Sequence, residues 1–149
     1  MDGKGWLIAG GVLSGIAALL HVGVIIGGPE WYRFFGAGEE MARAAERGSP
    51  APALITVGIA AMLAVWAAYA FSGAGLLRRL PLIRTALVLI SAVYLLRGLA
   101  PVPIFLVRPE AIDAFTLWSS LIVLVYGLAY AIGTWMAWPR LSARSSMPR

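Results

Sequence analysis

The chain has 149 residues, 60% hydrophobic and 13% charged, with a formal net charge of +5. A water-soluble domain carries about 25% charged residues, so half that share, in long runs free of ionisable side chains, excludes the ordinary soluble class and points to an integral membrane protein. The lack of cysteine excludes disulfides, thiolate metal sites and cysteine nucleophiles, and a lone histidine excludes a multi-histidine metal centre within one chain.

About 20 consecutive apolar residues cross a bilayer core as a helix. The first such span is predicted at Gly5 to Gly27. Lys4 ahead of it gives the look of a secretory signal, but the run exceeds the roughly 7–15 residues of a signal core and no clear cleavage site follows, so it reads as a permanent helix. The next segment, "GGPEWYRFFGAGEEMARAAERGSP", begins with aromatics suited to the lipid interface. It then offers Glu39 and Arg43 four apart in the favourable order, with Glu40 and Arg43 three apart. Good helix formers ending at Gly48 and Pro50 predict a short amphipathic helix at about Glu39 to Arg47, resting as a cap on the bundle through Met41, Ala42 and Ala45.

The second span is predicted at Ala51 to Phe71, the third at Leu82 to Leu99 and the fourth at Ala114 to Trp138, followed by a basic tail over 139–149. Between them, "SGAGLLRRLPLIR" and "APVPIFLVRPE" carry the proline, glycine and charge that punctuate helices. The expected fold is an all-α integral membrane protein, one domain over 1–149, built as an up-down-up-down bundle of four spans.

Basic residues set the expected orientation. Arg78, Arg79 and Arg84 lie between spans two and three without an acid, Lys4 precedes the first span, and Arg140, Arg144 and Arg149 follow the last. In the other loops Arg33, Arg43, Arg47 and Arg108 are outnumbered by Glu30, Glu39, Glu40, Glu46, Glu110 and Asp113. The positive-inside rule then predicts a multi-pass protein of a bacterial inner membrane with both termini cytoplasmic. The positive net charge reports this topology rather than nucleic-acid binding, for which no module is visible.

Trp6, Trp31, Trp118, Trp135 and Trp138 fall near span ends, where amphipathic rings anchor at the interface, while Trp66 lies deep in the second span as a packing residue. Small residues four apart allow close helix approach: Gly10 with Ser14, Gly11 with Gly15, Gly23 with Gly27, Gly127 with Ala131, and Ala129 with Gly133. Ala60, Ala64 and Ala68 continue the theme in the second span.

The residues with chemistry form one predicted layer. His21 shares a helical face with Ser14, Ala17 and Ala18, which turns it toward the bundle. Arg97 lies near the outer end of the third span, with Tyr94 and Ser91 behind it. Thr56 comes at similar depth in the second span, as do Thr116, Ser119 and Ser120 in the fourth, and Tyr126, Tyr130 and Thr134 continue downward. An arginine at the centre of a span costs about 2.5–3.5 kcal/mol on insertion scales, and such residues usually face protein or water. The candidate ligand site is therefore His21, Arg97, Tyr94, Thr56, Ser119, Ser120 and Glu30. The alternative is structural: Arg97 pairs with Glu30, Glu110 or Asp113, and His21 donates to a backbone carbonyl.

No phosphate-binding loop is present, because "GAGEEM" and "SGAGLLRR" lack the third glycine and the strand context. A haem would find only His21 and a methionine, so neither cofactor nor metal is expected. The four-span layout resembles the DoxX-like and EXPERA four-helix membrane families. The acidic residues that the second places within its spans are missing here, Glu30 and Glu110 falling in loops, and no functional residue carries over.

Three functions follow from different classes. The first is a non-catalytic membrane component that packs helices with itself, as a homo-oligomer, or with a membrane partner protein. The second is a binder or carrier of a lipid, quinone or other hydrophobic small molecule near His21 and Arg97. The third is a membrane enzyme using His21 as acid and base with Glu30 or a tyrosine, since imidazole titrates nearest neutrality.

Overall fold

The computed structural model describes residues 2–142 and is helical, with no strand among them. In chain order the helices are α1 (Lys4–Gly27), α2 (Pro29–Phe34), α3 (Glu39–Glu46), α4 (Ala51–Gly73), α5 (Ile83–Leu99), α6 (Val102–Val107) and α7 (Ala114–Ser142), with a 3-10 turn at Pro109–Ala111. Four segments are long and apolar enough to cross a membrane: Lys4–Gly27, Ala51–Gly73, Ile83–Val107 and Ala114–Ser142.

Two of these run past their predicted ends. Pro101 and Pro103 read as punctuation, yet proline is well suited to the first turn of a helix, where its missing N–H is not needed. They open α6 and extend the third apolar segment to Val107. α7 passes through Pro139 to Ser142, so 139–142 of the expected tail are helical. The rest of that tail, 143–149, lies outside the described residues.

The breaks have local causes. Gly28, at φ 69° and ψ −152°, ends α1 with its N–H on the Val24 carbonyl, and Pro29 begins α2 at once. At the end of α4, Gly75 turns left-handed at φ 79°. Its N–H reaches the Ser72 carbonyl while Leu76 N–H reaches Phe71, the paired bonds of a Schellman cap.

The helices close on one another at small residues. On α1, the Phe71 ring of α4 covers Gly11, and the Tyr130 ring of α7 covers Gly10. Leu7 lies against both Gly73 of α4 and Gly133 of α7. α5 meets α7 through two glycines: a Cβ on Gly98 would lie 2.8 Å from Leu124 Cα, and one on Gly127 would lie 2.9 Å from Leu95 N. Residue numbers fall along one helix as they rise along the other. Leu7, Leu87 and Tyr130 are fully enclosed, whereas Leu19 and Ile26 on the outside of α1 are 73% and 82% exposed. An exterior this apolar suits lipid as the solvent, and helices satisfy their backbone polar groups internally, as a bilayer requires.

α2 and α3 sit over one end of the bundle. Tyr32 and Ala42 are buried with Val24 of α1, and Trp31 folds back over Gly27. Arg33 holds the cap together, donating to Glu30 at 2.9 Å, Glu39 at 2.9 Å and Glu46 at 2.7 Å, while Arg43 donates to Glu39 at 2.9 Å. Hydrogen bonds from Arg33, then from Arg43, hold the Glu39 carboxyl down at about 2 from its ordinary 4.5. A carboxyl with a lowered folded-state pKa contributes its stabilisation above about 4.5 and loses it as the pH falls toward 2. A carbon-detected titration of Glu39 is expected to give a midpoint near 2, moving toward 4.5 in Arg33→Gln, with faster amide exchange over α3. An unchanged midpoint in that variant would remove Arg33 from its role as hub.

Candidate functional site

The seven predicted site residues fall into five separate places. His21 is half-buried, and its Nδ1 donates to the Ala17 carbonyl at 2.7 Å on its own helix. Arg97 is on the exposed side of α5, where Nη1 donates to the Ser120 hydroxyl of α7 at 3.1 Å. Ser119 turns back to donate to the Thr116 carbonyl at 3.2 Å. Thr56 donates to the Pro52 carbonyl at 2.7 Å and lies 3.4 Å from the Tyr32 hydroxyl beneath the cap. Glu30 is exposed in the Arg33 cluster. Tyr94 belongs to the centre of the bundle. The structure joins Arg97 to Ser120, and does not join either to His21.

At the centre, all four long helices meet around one hydroxyl relay. Ser14 of α1 is fully buried, with its Oγ 2.8 Å from the Tyr94 hydroxyl of α5 and 2.9 Å from the Tyr130 hydroxyl of α7. Tyr130 donates to the Trp66 carbonyl of α4 at 3.0 Å. A hydroxyl has one proton to give. With that of Tyr130 committed to Trp66, Ser14 must donate to Tyr130, and Tyr94 must donate to Ser14. The relay therefore has one direction, from Tyr94 to the α4 backbone. The Tyr94 ring stands edge-on to Trp66 at 4.8 Å and to Tyr126 at 5.6 Å, favourable geometry for aromatic pairs. Each bond of the relay joins two different helices: α1 to α5, α1 to α7 and α7 to α4.

Two open surfaces differ from this closed centre. Between α1 and α4 runs an apolar groove of about 620 Å³, its floor made by Gly15, Ala60, Ala61, Ala64, Ala67 and Ala68. Leu19, Val22 and Val57 stand exposed along it. A Cβ on Gly15 would meet nothing within 4 Å, unlike one on Gly11. At the end of the bundle away from the cap, a second groove of about 1050 Å³ is bounded by the loop from α4 to α5, the start of α5 and Trp138. Single-helix patterns could not find either groove, because each is made between elements. The unbroken alanine face of α4 was the one visible signal.

Comparison of the chain with known protein families, curated proteins and solved structures finds no match. Among the described residues no group of three or more histidine, cysteine or carboxylate side chains has the arrangement to hold a metal ion.

Proposed function

We propose that this chain is a non-catalytic multi-pass membrane component that works by packing its helices against a second copy of itself. The groove between α1 and α4 carries the reading. Small residues let helix backbones approach closely, and such contacts replace the hydrophobic effect as the main association force in lipid. Gly15 needs no glycine for folding of the single chain, since its Cβ position is empty. Leu19 and Val22 form a ridge beside the trough, so a two-fold pair places the ridge of one copy into the trough of the other.

The reading takes the four apolar segments as spans of an inner membrane in up-down-up-down order. Gly3 approaches Gly133 and Ala137, which supports placing both ends of the described chain on one side. With Lys4, Arg78, Arg79, Arg84 and Arg140 at that end, it is the cytoplasmic one, and the α2–α3 cap faces outward.

Photobleaching of singly labelled protein in lipid vesicles tests the proposal. The wild type is expected to show two-step bleaching. Gly15→Leu and Ala64→Leu, which fill the trough, are expected to give single steps with unchanged helicity and thermal midpoint. A wild type that stays monomeric when concentrated in the bilayer, or filled variants that still pair, would overturn it.

A further inference from the structure

We propose that the groove at the α4–α5 loop is a binding site for an anionic phospholipid, which seats its phosphate on the loop arginines and its ester region in the adjoining cleft between α5 and α7.

The loop is built to hold a fixed shape. Ser72 at the end of α4 donates to the Arg78 carbonyl at 2.9 Å and accepts from Leu80 N–H at 3.0 Å. Tyr69 donates to the Pro81 carbonyl at 3.3 Å, and Arg79 donates to the Leu141 carbonyl of α7. Arg140 reaches from α7 to the Gly73 carbonyl at 3.0 Å. Residues 74–82 are thereby tied to two helices and contain no acidic side chain.

On this frame the positive groups converge. Arg78, Arg79, Arg84 and Thr85 line the groove. Arg84 lies over the Trp138 ring at 4.2 Å, a cation–π contact that keeps its guanidinium at the mouth. Ile83 and Arg84 begin a 17-residue helix, whose first amides have no acceptor within it and whose positive dipole end favours an anion.

A second observation gives the ligand its tail. Val88 and Trp138 also line a cleft of about 450 Å³ that continues along α5 and α7 past Ser91, Ala131 and Trp135. Thr134 opens onto it and is only 4% exposed, and its Oγ1 has no hydrogen-bond partner. Native structures rarely leave a buried hydroxyl without a hydrogen-bond partner. Ser91 beside it is satisfied by the Leu87 carbonyl at 2.7 Å. Thr134 stands four residues, about 6 Å along the helix, from Trp138 toward the middle of the apolar segment. That is the order of a phospholipid: phosphate outermost, ester carbonyls next, acyl carbons below. The hydroxyl donates to an ester carbonyl, while Val88, Ala131 and Trp135 contact the chain. Inorganic phosphate would use the arginines and leave both the cleft and Thr134 unfilled. The site presupposes only that α5 and α7 cross a bilayer.

Native mass spectrometry of the full chain in detergent, titrated with dioleoyl phosphatidylglycerol or dioleoyl phosphatidylcholine, tests the assignment. One phosphatidylglycerol is expected to remain bound, preferred over phosphatidylcholine by roughly tenfold or more, because each basic residue near an anionic headgroup adds to the attraction. Arg78→Gln with Arg84→Gln is expected to remove the preference, and Thr134→Val to weaken both lipids alike by a few fold. Arg108→Gln, at the other end of the bundle, leaves both unchanged. Equal binding of the two lipids, or a preference that survives the double substitution with the thermal midpoint intact, would overturn the site. Full displacement by millimolar inorganic phosphate would overturn the lipid as its occupant.

Discussion

Gly127→Leu is expected to prevent α5 from closing on α7 and to abolish the cooperative unfolding transition of the protein. A Cβ at residue 127 would lie 2.9 Å from Leu95 Cγ, Cδ2 and N, and one at residue 98 would lie 2.8 Å from Leu124 Cα and 2.9 Å from its N. Inserting carbon into a packed core typically costs about 1–3 kcal/mol, where side chains can shift to make room. Here part of the obstacle is backbone, and a helix must move as a whole. The cost is expected to exceed about 3 kcal/mol, a large part of the roughly 5–15 kcal/mol that holds a domain together. Gly98→Ala, adding one carbon to the same crossing, is expected to fall between this variant and the wild type. Gly15→Leu is the control, because nothing lies within 4 Å of its Cβ position, and it is expected to unfold as the wild type does. Thermal unfolding followed by circular dichroism in detergent distinguishes them. A Gly127→Leu protein with wild-type stability would show that α5 and α7 do not approach at these residues.

The same crossing shows where the sequence is readable. Hydropathy located all four long apolar segments, because a run of about 20 apolar residues has few other uses. Small residues four apart marked Gly10, Gly11, Gly127 and Gly133 as close contacts, and all four carry a large side chain of a neighbouring helix. The pattern could not say which neighbour: Gly27 receives Trp31 from the cap, and Gly15 receives nothing.

Helix rotation was not legible. A span in lipid is apolar on most of its circumference, so no amphipathic stripe turns it toward the centre. Ser14, Tyr94 and Tyr130 are each visible as polar positions, but by depth along their own helices Tyr94 falls with Arg97, Ser14 on the face below His21, and Tyr130 in a stripe beneath the layer. Their meeting point depends on three rotations at once. Arg97 belongs to the predicted layer by its depth near the outer end of its span; it is exposed and reaches Ser120 of that layer, but not His21. The Arg33 hub was hidden for a related reason. Its bond to Glu46 spans thirteen residues and requires the turn from α2 to α3, which passes through Gly36 and Gly38 with positive φ.

Tyr130 is where the largest loss from a single truncation is expected. Its ring is fully buried, lies against Gly10, and its hydroxyl contacts Ser14 on α1 and Trp66 on α4. Removing a buried aromatic ring typically costs about 3–5 kcal/mol, since lost contacts and an unfilled cavity add. Tyr130→Ala is therefore expected to be destabilised by that amount in a reversible denaturation measured in mixed micelles. Tyr130→Phe keeps the ring and removes the donor. Hydrogen bonds between membrane helices average about 0.6 kcal/mol and reach about 1.7, so the second variant is expected to lose about 1 kcal/mol. Ser14→Ala combined with Tyr130→Phe then tests whether the relay couples the two helices. The two changes remove one shared Ser14–Tyr130 bond, so the double variant is expected to lose less than the sum of the singles. Strict additivity would mean that the hydroxyls act independently. A Tyr130→Phe protein as unstable as Tyr130→Ala would mean that the hydrogen bond, rather than the volume of the ring, holds the four helices in register.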